Sequence, residues 1–353
     1  MRLFFSILII GLGVATAQAQ FTYTTNNGAI TITGYTGSAG AVTIPNVIDG
    51  LPVTDIGTNA FQGSDLTSVA IPNSIISIGD YAFFDCLSLT TVVLDNNLIS
   101  IGAYAFSSPI PEPGSTGPLY QTCPLTSITI PDSVTTIGDY AFSYTAVASV
   151  TIPKSVISIG DGAFYGCQEL TNVTMAEGLA SIGASAFSGW IPGGTIAGEP
   201  PPAACPLTSI MIPNSVTSIG QSAFYDCCLT NAYFLGNAPS ADTTVFSGDN
   251  VTAYYLPGTA GWAGFTTNMG VPTALWTLPN PLVLNGSSGV LNNQFGFTIS
   301  WATNVPVVVE ASADLSKPIW TPIATNTLTD GTSYFSDPQW TNYPARFNRL
   351  RAQ

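Results

Sequence analysis

"PDSVTTIGDYAF", residues 131–142, decides how this chain is read, because the line recurs as "PNSIISIGDYAF" at 72–83, "PKSVISIGDGAF" at 153–164 and "PNSVTSIGQSAF" at 213–224. The Phe of each Ala-Phe pair falls at 61, 83, 106, 142, 164, 187 and 224, so the intervals are 22, 23, 36, 22, 23 and 37 residues. The two long intervals are the same unit carrying 13 or 14 extra residues. A 22–23 residue period is therefore nested in one of 81–82, the mark of a duplicated three-unit block. One unit of this length cannot bury its own apolar side, so the copies must stack.

Each unit opens with apolar residues in an L-x-x-L-x-L pattern: Leu66, Val69, Ile71; Leu125, Ile128, Ile130; Val147, Val150, Ile152; Leu207, Ile210, Ile212. Spacing and period together predict a mainly β fold, a leucine-rich-repeat solenoid whose parallel strands lie about 4.8 Å apart. Pro72, Pro131, Pro153 and Pro213 end the strands and preset a turn. Asp80, Asp139 and Asp161 stand two residues before Ala-Phe, where the N-cap of a short helical turn is expected. Stacked carboxylates on adjacent turns are also a calcium pattern, but Thr58, Ala103, Ala184 and Gln221 fill the same place elsewhere, so the reading assigns no metal. The Phe column reads as core.

On these residues, above all "LTSITIPDSVTTIGDYAF", the segment from 28 to about 235 resembles the repeats of BspA-like leucine-rich-repeat proteins of bacterial surfaces. The resemblance implies a secreted or surface-attached protein used in adhesion and recognition, and it brings no catalytic residues. "TTNNGAITIT" reads as a hairpin capping the open end of the stack.

Arg2 followed by "LFFSILIIGLGVA" and "AQA" at 17–19 reads as a signal peptide over 1–19, so the chain is expected to be secreted or at the cell surface. No later run reaches the length of a membrane-spanning helix. Residues 20–275 then form the solenoid with both caps, 276–293 a linker, and 294–353 a C-terminal β-sandwich-like module. In that module Phe295, Phe297, Ile299 and Trp301 alternate. The module resembles C-terminal modules of other exported bacterial proteins, which implies a carrier, sorting or attachment role. Its Arg346, Arg349 and Arg351 read either as groups recognised by surface machinery or as charges guarding an edge strand.

Six cysteines in an exported chain favour disulfides. Cys86 and Cys123, and likewise Cys167 and Cys205, end consecutive turns, which predicts the pairs Cys86–Cys123 and Cys167–Cys205, with Cys227 a competitor for Cys205 and the vicinal pair Cys227 and Cys228 unassigned. Each bridge would close the base of an inserted loop, 107–124 and 188–206. Three turns separate these inserts, about 15 Å at strand spacing. Pro111, Tyr120, Trp190 and Ile191 are their candidate binding residues. Tyr254, Tyr255, Trp262 and Phe265 read as the C-terminal cap, with a sugar platform as the other possibility.

The charge excludes some partners. Residues 20–275 hold Lys154 alone against sixteen Asp and Glu, a balance that opposes nucleic acid and anionic lipid. The chain has no His and no phosphate-binding glycine loop, so His-dependent nucleophile and zinc chemistry is ruled out. The expectation is a protein that is not an enzyme and needs no cofactor. It would bind an unidentified extracellular protein or glycan, the alternatives being polysaccharide binding or a structural envelope role.

Overall fold

Inward apolar and outward polar residues alternate along each long strand, and this period of two lets one coil sit on the next. In the computed structural model, which describes residues 20–109, 122–189, 205–276, 282–283, 287–291, 294–300, 306–328 and 332–352, the repeats form a solenoid of stacked coils. Long strands pair in parallel, Val69 opposite Val92, Val150 opposite Val173, and Ile210 opposite Ala232. After the Pro turn each coil adds a two-residue strand. Ile78, Ile101, Ile137, Ile159, Ile182 and Ile219 stand there, in one unbroken parallel register that starts from Ile56 at the end of the longer strand Leu51–Ile56.

The core runs along the solenoid axis as ladders of like residues. Phe61, Phe83, Phe106, Phe142, Phe164, Phe187, Phe224 and Phe246 form one column, with ring centroids 4.7–5.6 Å apart and nearly parallel planes. Stacking at the coil repeat forces offset parallel rings, a favourable aromatic arrangement. The glycine after each short-strand Ile has a separate cause. A Cβ at Gly160 would lie 2.6 Å from the Gly138 carbonyl carbon and 2.7 Å from Asp139 N, so at this corner only glycine lets the coils close.

The predicted helical turn before each Phe is absent. Tyr81, Tyr104, Tyr140, Ser185 and Ser222 all take left-handed backbone there, φ 54–57°. The amides of this turn reach across to the next coil, Tyr140 N to Asp161 O at 2.7 Å and Phe142 N to Ala163 O at 2.8 Å. The expected capping role of the aspartates is corrected accordingly. Asp80 Oδ1 accepts from Ala103 N at 2.8 Å, Asp139 Oδ1 from Asp161 N at 2.8 Å, and Asp161 Oδ1 from Ala184 N at 2.6 Å. Each carboxylate thus pins its coil to the following one.

Both ends of the stack are covered. Phe21–Asn26 and Ala29–Tyr35 form an antiparallel hairpin through Asn27 and Gly28, both at positive φ, and Ala29–Tyr35 pairs in parallel with Leu51–Ile56. At the other end the helix Trp262–Met269 places Trp262 and Phe265 on Phe234, with centroids 5.0 and 5.5 Å away. Beyond it lie two antiparallel sheets around Phe297, Ile299, Val307, Val309, Leu328 and Phe335. Leu282–Val283 and Gly289–Leu291, within the stretch expected as linker, pair with Gln294–Ser300. Arg349 and Arg351 flank Glu310 of the neighbouring strand at 2.7 and 3.1 Å, and Arg346, just before Phe347–Ala352, pairs with Asp337 of the other sheet, so these arginines neutralise carboxylates within the module.

Gly160→Ala should cost about 1–3 kcal/mol through overpacking at the coil contact, read as a fall in the denaturation midpoint. Ser158→Ala, on the outward side of the same short strand, should change it little.

Candidate recognition surface

Two features of the solenoid surface depart from the repeat: the corner that emits the inserts and the outer face of the long strands. Residues 110–121 and 190–204, with the candidates Pro111, Tyr120, Trp190 and Ile191, lie outside the described residues. Their anchor points are described. The first insert leaves after Ser107, Ser108 and Pro109, and the second after Ser188 and Gly189, at the same corner of the coil. The first anchor is tied to the next coil by Ser107 Oγ, 2.6 Å from Ser143 Oγ. The second is tied by Gly189 N, which donates to Tyr225 O at 2.9 Å.

An aromatic ladder that the sequence reading overlooked starts one coil before the first anchor and runs toward the second. Tyr81, Tyr104 and Tyr140 stack with centroids 4.8 and 4.9 Å apart, and Tyr165 packs edge-on to Tyr140 and Tyr144 at 6.2 and 5.6 Å. Tyr144 and Tyr165 are buried, and burial pushes the Tyr165 phenol well above its usual range, with the Tyr144 hydroxyl beside it. Gly162 makes room for this cluster, since a Cβ there would meet the Tyr140 ring at 2.3 Å. The signal was present in the sequence as Tyr before Ala-Phe in three successive units.

The outer face of the long strands carries ranks of small polar side chains. Ser149, Asn172 and Ser209 form one exposed rank, and Thr151 and Thr174 a second that continues into Met211, Tyr233 and Tyr254. No residue of these ranks is charged. At their C-terminal end Tyr233 stacks on Tyr254 at 5.2 Å and meets Trp276 at 4.7 Å. Of the aromatics read as a cap, Trp262 and Phe265 are buried in it and Tyr255 stacks on Trp262 at 4.8 Å, whereas Tyr254 faces outward.

The expected disulfides Cys86–Cys123 and Cys167–Cys205 are absent, and all six cysteines are free thiols. Side-chain direction explains this. Cys86 Sγ donates to Phe61 O and Cys167 Sγ to Phe142 O, both at 3.2 Å, so each thiol points to the preceding coil and away from its expected partner in the following one. Burial pushes both thiols up to about 12, the opposite of a reactive cysteine.

Among the described residues no group of three or more Cys, Asp or Glu is placed to hold a metal ion. The most perturbed solenoid carboxylate is Asp249, pushed up to about 6 by burial despite a hydrogen bond from Cys227 N at 3.1 Å.

A family model described as the BspA type leucine rich repeat region matches six copies, over residues 52–110, 118–191 and 203–262, more than half of the chain. Similar solved structures include a leucine-rich repeat protein from Bacteroides ovatus ATCC 8483, 24% identical over 67% of this chain and 70% of that one, TM-score 0.42. Another is a leucine rich cell surface protein from Faecalibacterium prausnitzii A2-165, 21% identical over 71% of this chain and 96% of that one, TM-score 0.32. A leucine-rich repeat protein from Bacteroides capillosus ATCC 29799 is 31% identical over 44% of this chain and 94% of that one, TM-score 0.30. No curated protein matches.

Asp249 sets a pH dependence. Its folded pKa of about 6 lies above the usual 3.8, so its stabilising contribution is complete below about pH 4 and is lost as pH rises through 6. Asp249→Asn should therefore raise the melting temperature relative to the parent at pH 7.5, and the difference should close at pH 4, as followed by circular dichroism.

Proposed function

Because the chain belongs to the BspA-type leucine-rich-repeat family, we propose that it is an exported protein, secreted or held at the cell surface, that recognises an extracellular protein partner and is not an enzyme. One observation carries this reading. The coil register passes across both inserts without a break, Ile101 opposite Ile137 and Ile182 opposite Ile219. Inserts that the stack does not need for its own pairing are free to serve binding, as loops on a rigid scaffold commonly do.

The location of the inserts supports the same reading. Both leave one corner, about 15 Å apart at coil spacing, so a single partner of ordinary size spans them. Pro111 and the neighbouring prolines limit the entropy lost on binding, while Tyr120, Trp190 and Ile191 supply apolar contact. The uncharged outer strand face extends this surface. Export rests on the N-terminal leader pattern of residues 1–19. No helix of the described residues is long and apolar enough to cross a membrane. Attachment, if the protein is surface-held, is assigned to the C-terminal module.

A second reading, polysaccharide binding, is favoured by the outward cluster Tyr233, Tyr254 and Trp276 at the end of the hydroxyl-bearing ranks. Aromatic side chains beside such groups suit an uncharged sugar better than an anionic one on this acidic chain.

The two readings separate in one binding experiment. Purified residues 20–353 are titrated against extracellular matrix proteins and neutral oligosaccharides. A variant with 110–121 and 190–203 replaced by short Gly-Ser links, and a second carrying Tyr254→Ala and Trp276→Ala, are titrated alongside. Saturable protein binding weakened at least tenfold in the link variant alone is the expected result. Oligosaccharide binding lost only in the aromatic variant would replace protein recognition by the second reading.

A further inference from the structure

The six thiols are not equivalent. Cys227 stands, like Cys86 and Cys167, three residues after the stacked Phe, and its Sγ likewise donates back to the preceding coil, to Phe187 O at 2.8 Å. For Cys167 that direction leads to Thr145, whose Oγ1 lies 3.3 Å from the sulfur. For Cys227 it leads to the coil that ends in Cys205. Cys205 rejoins the solenoid two residues before Leu207, and Cys227 stands two residues before Leu229. They are register partners, because Ser209 pairs with Asn231 and stepping back four residues on each chain brings 205 opposite 227. The duplicated block offers a comparison. There the same offset sets Cys123 opposite Thr145 in a parallel bridge.

Both thiols are sealed, Cys205 at 1% and Cys227 at 0% exposure. Register neighbours on parallel strands have Cα atoms about 4.8 Å apart, inside the range that a disulfide spans. We propose that Cys205 and Cys227 become a disulfide as the protein folds in an oxidising compartment, clamping the return base of the second insert to the following coil. The first insert, returning at Cys123 opposite Thr145, has no equivalent clamp. The compartment rests on the export reading, but the chemistry is tested without it.

The step requires a low-molecular-weight or enzyme-borne disulfide as oxidant. The Cys205 thiolate attacks that disulfide, one oxidant thiol leaves, and a mixed disulfide forms. Cys227 loses its proton to solvent and attacks the Cys205 sulfur, and the second oxidant thiol leaves. Two protein thiols are oxidised and one disulfide is reduced to two thiols. In the closed stack both thiols are sealed from any oxidant, and burial pushes the Cys227 thiol up. The second attack therefore belongs to folding, before the coil closes over the pair. Once made, the bond fixes where the second insert re-enters the stack, so the two loops differ in how firmly they are held.

The test refolds reduced, denatured residues 20–353 in a buffer of reduced and oxidised glutathione. Free thiols are then alkylated and the chain is cut at acid pH for mass mapping, with fragmentation between Cys227 and Cys228 assigning the linkage. The expected map has Cys205 joined to Cys227 and alkyl groups on Cys86, Cys123, Cys167 and Cys228. The oxidised protein should melt several degrees above its reduced form. That shift should vanish in Cys227→Thr, which installs the residue of the first block, and in Cys205→Ser. A dominant Cys167–Cys205 or Cys205–Cys228 linkage, or six alkylated thiols in folded protein, would overturn the proposal.

Discussion

The structure depends on one constraint: every coil must present the same side chains at the same height to the coils on either side. Backbone pairing between coils at about 4.8 Å leaves no slack, so a residue that differs in size is felt by two neighbours at once. The Ile-Gly corner shows the tightest case. There each glycine approaches the backbone of the previous coil to within 3 Å of where its Cβ would be, as at Gly102, Gly138, Gly160 and Gly183. Stability in such an array is close to a sum over coil interfaces, which is why the ends must be covered and why an insert is tolerated wherever the pairing can step past it. The hairpin at one end and Trp262 with Phe265 at the other do the covering.

Most of this was legible in the sequence because repetition removes ambiguity. A single "SVTTIGDYAF" could be strand or helix, but seven Ala-Phe units at intervals of 22–23 residues, twice lengthened by an insert, can only stack. The Phe column, strand triplets such as Leu66, Val69 and Ile71, and the N-terminal hairpin were readable from spacing alone, whereas Leu125, Ile128 and Ile130 are buried without forming a regular strand. Local conformation inside the unit was less so. Asp-Tyr-Ala-Phe looks like a capped helical start, yet the left-handed residue after the aspartate turns the amides toward the next coil, and the carboxylate follows them. Propensity describes a segment alone, whereas here the neighbouring coil supplies the acceptors.

The cysteines show the same limit. Equal height, which spacing reveals, is necessary for a disulfide but not sufficient, since the direction of each Sγ is set by the carbonyl it finds. Cys86 and Cys167 find the Phe carbonyl of the coil before them and turn away from their expected partners. The tyrosine ladder was equally written in the sequence, as Tyr81, Tyr104 and Tyr140, but the position holds Asn59, Gly162, Ser185 and Ser222 in the other units, so it does not stand out as a repeat column as the Phe beside it does. Of the binding candidates, spacing located the inserts, and the structure adds that their anchors share one corner and frame the tyrosine cluster.

The division between a self-sufficient stack and two inserts free for recognition is the centre of this account. Native-state amide hydrogen exchange on protein whose inserts are replaced by short Gly-Ser links tests it most directly. The amides to watch are Phe106, Gly138, Phe187 and Gly220, which donate across the coil interfaces beside the inserts. Protection within tenfold of the parent is the predicted result. Protection lost by a hundredfold or more at those amides would show that the inserts hold the stack together and would contradict the account.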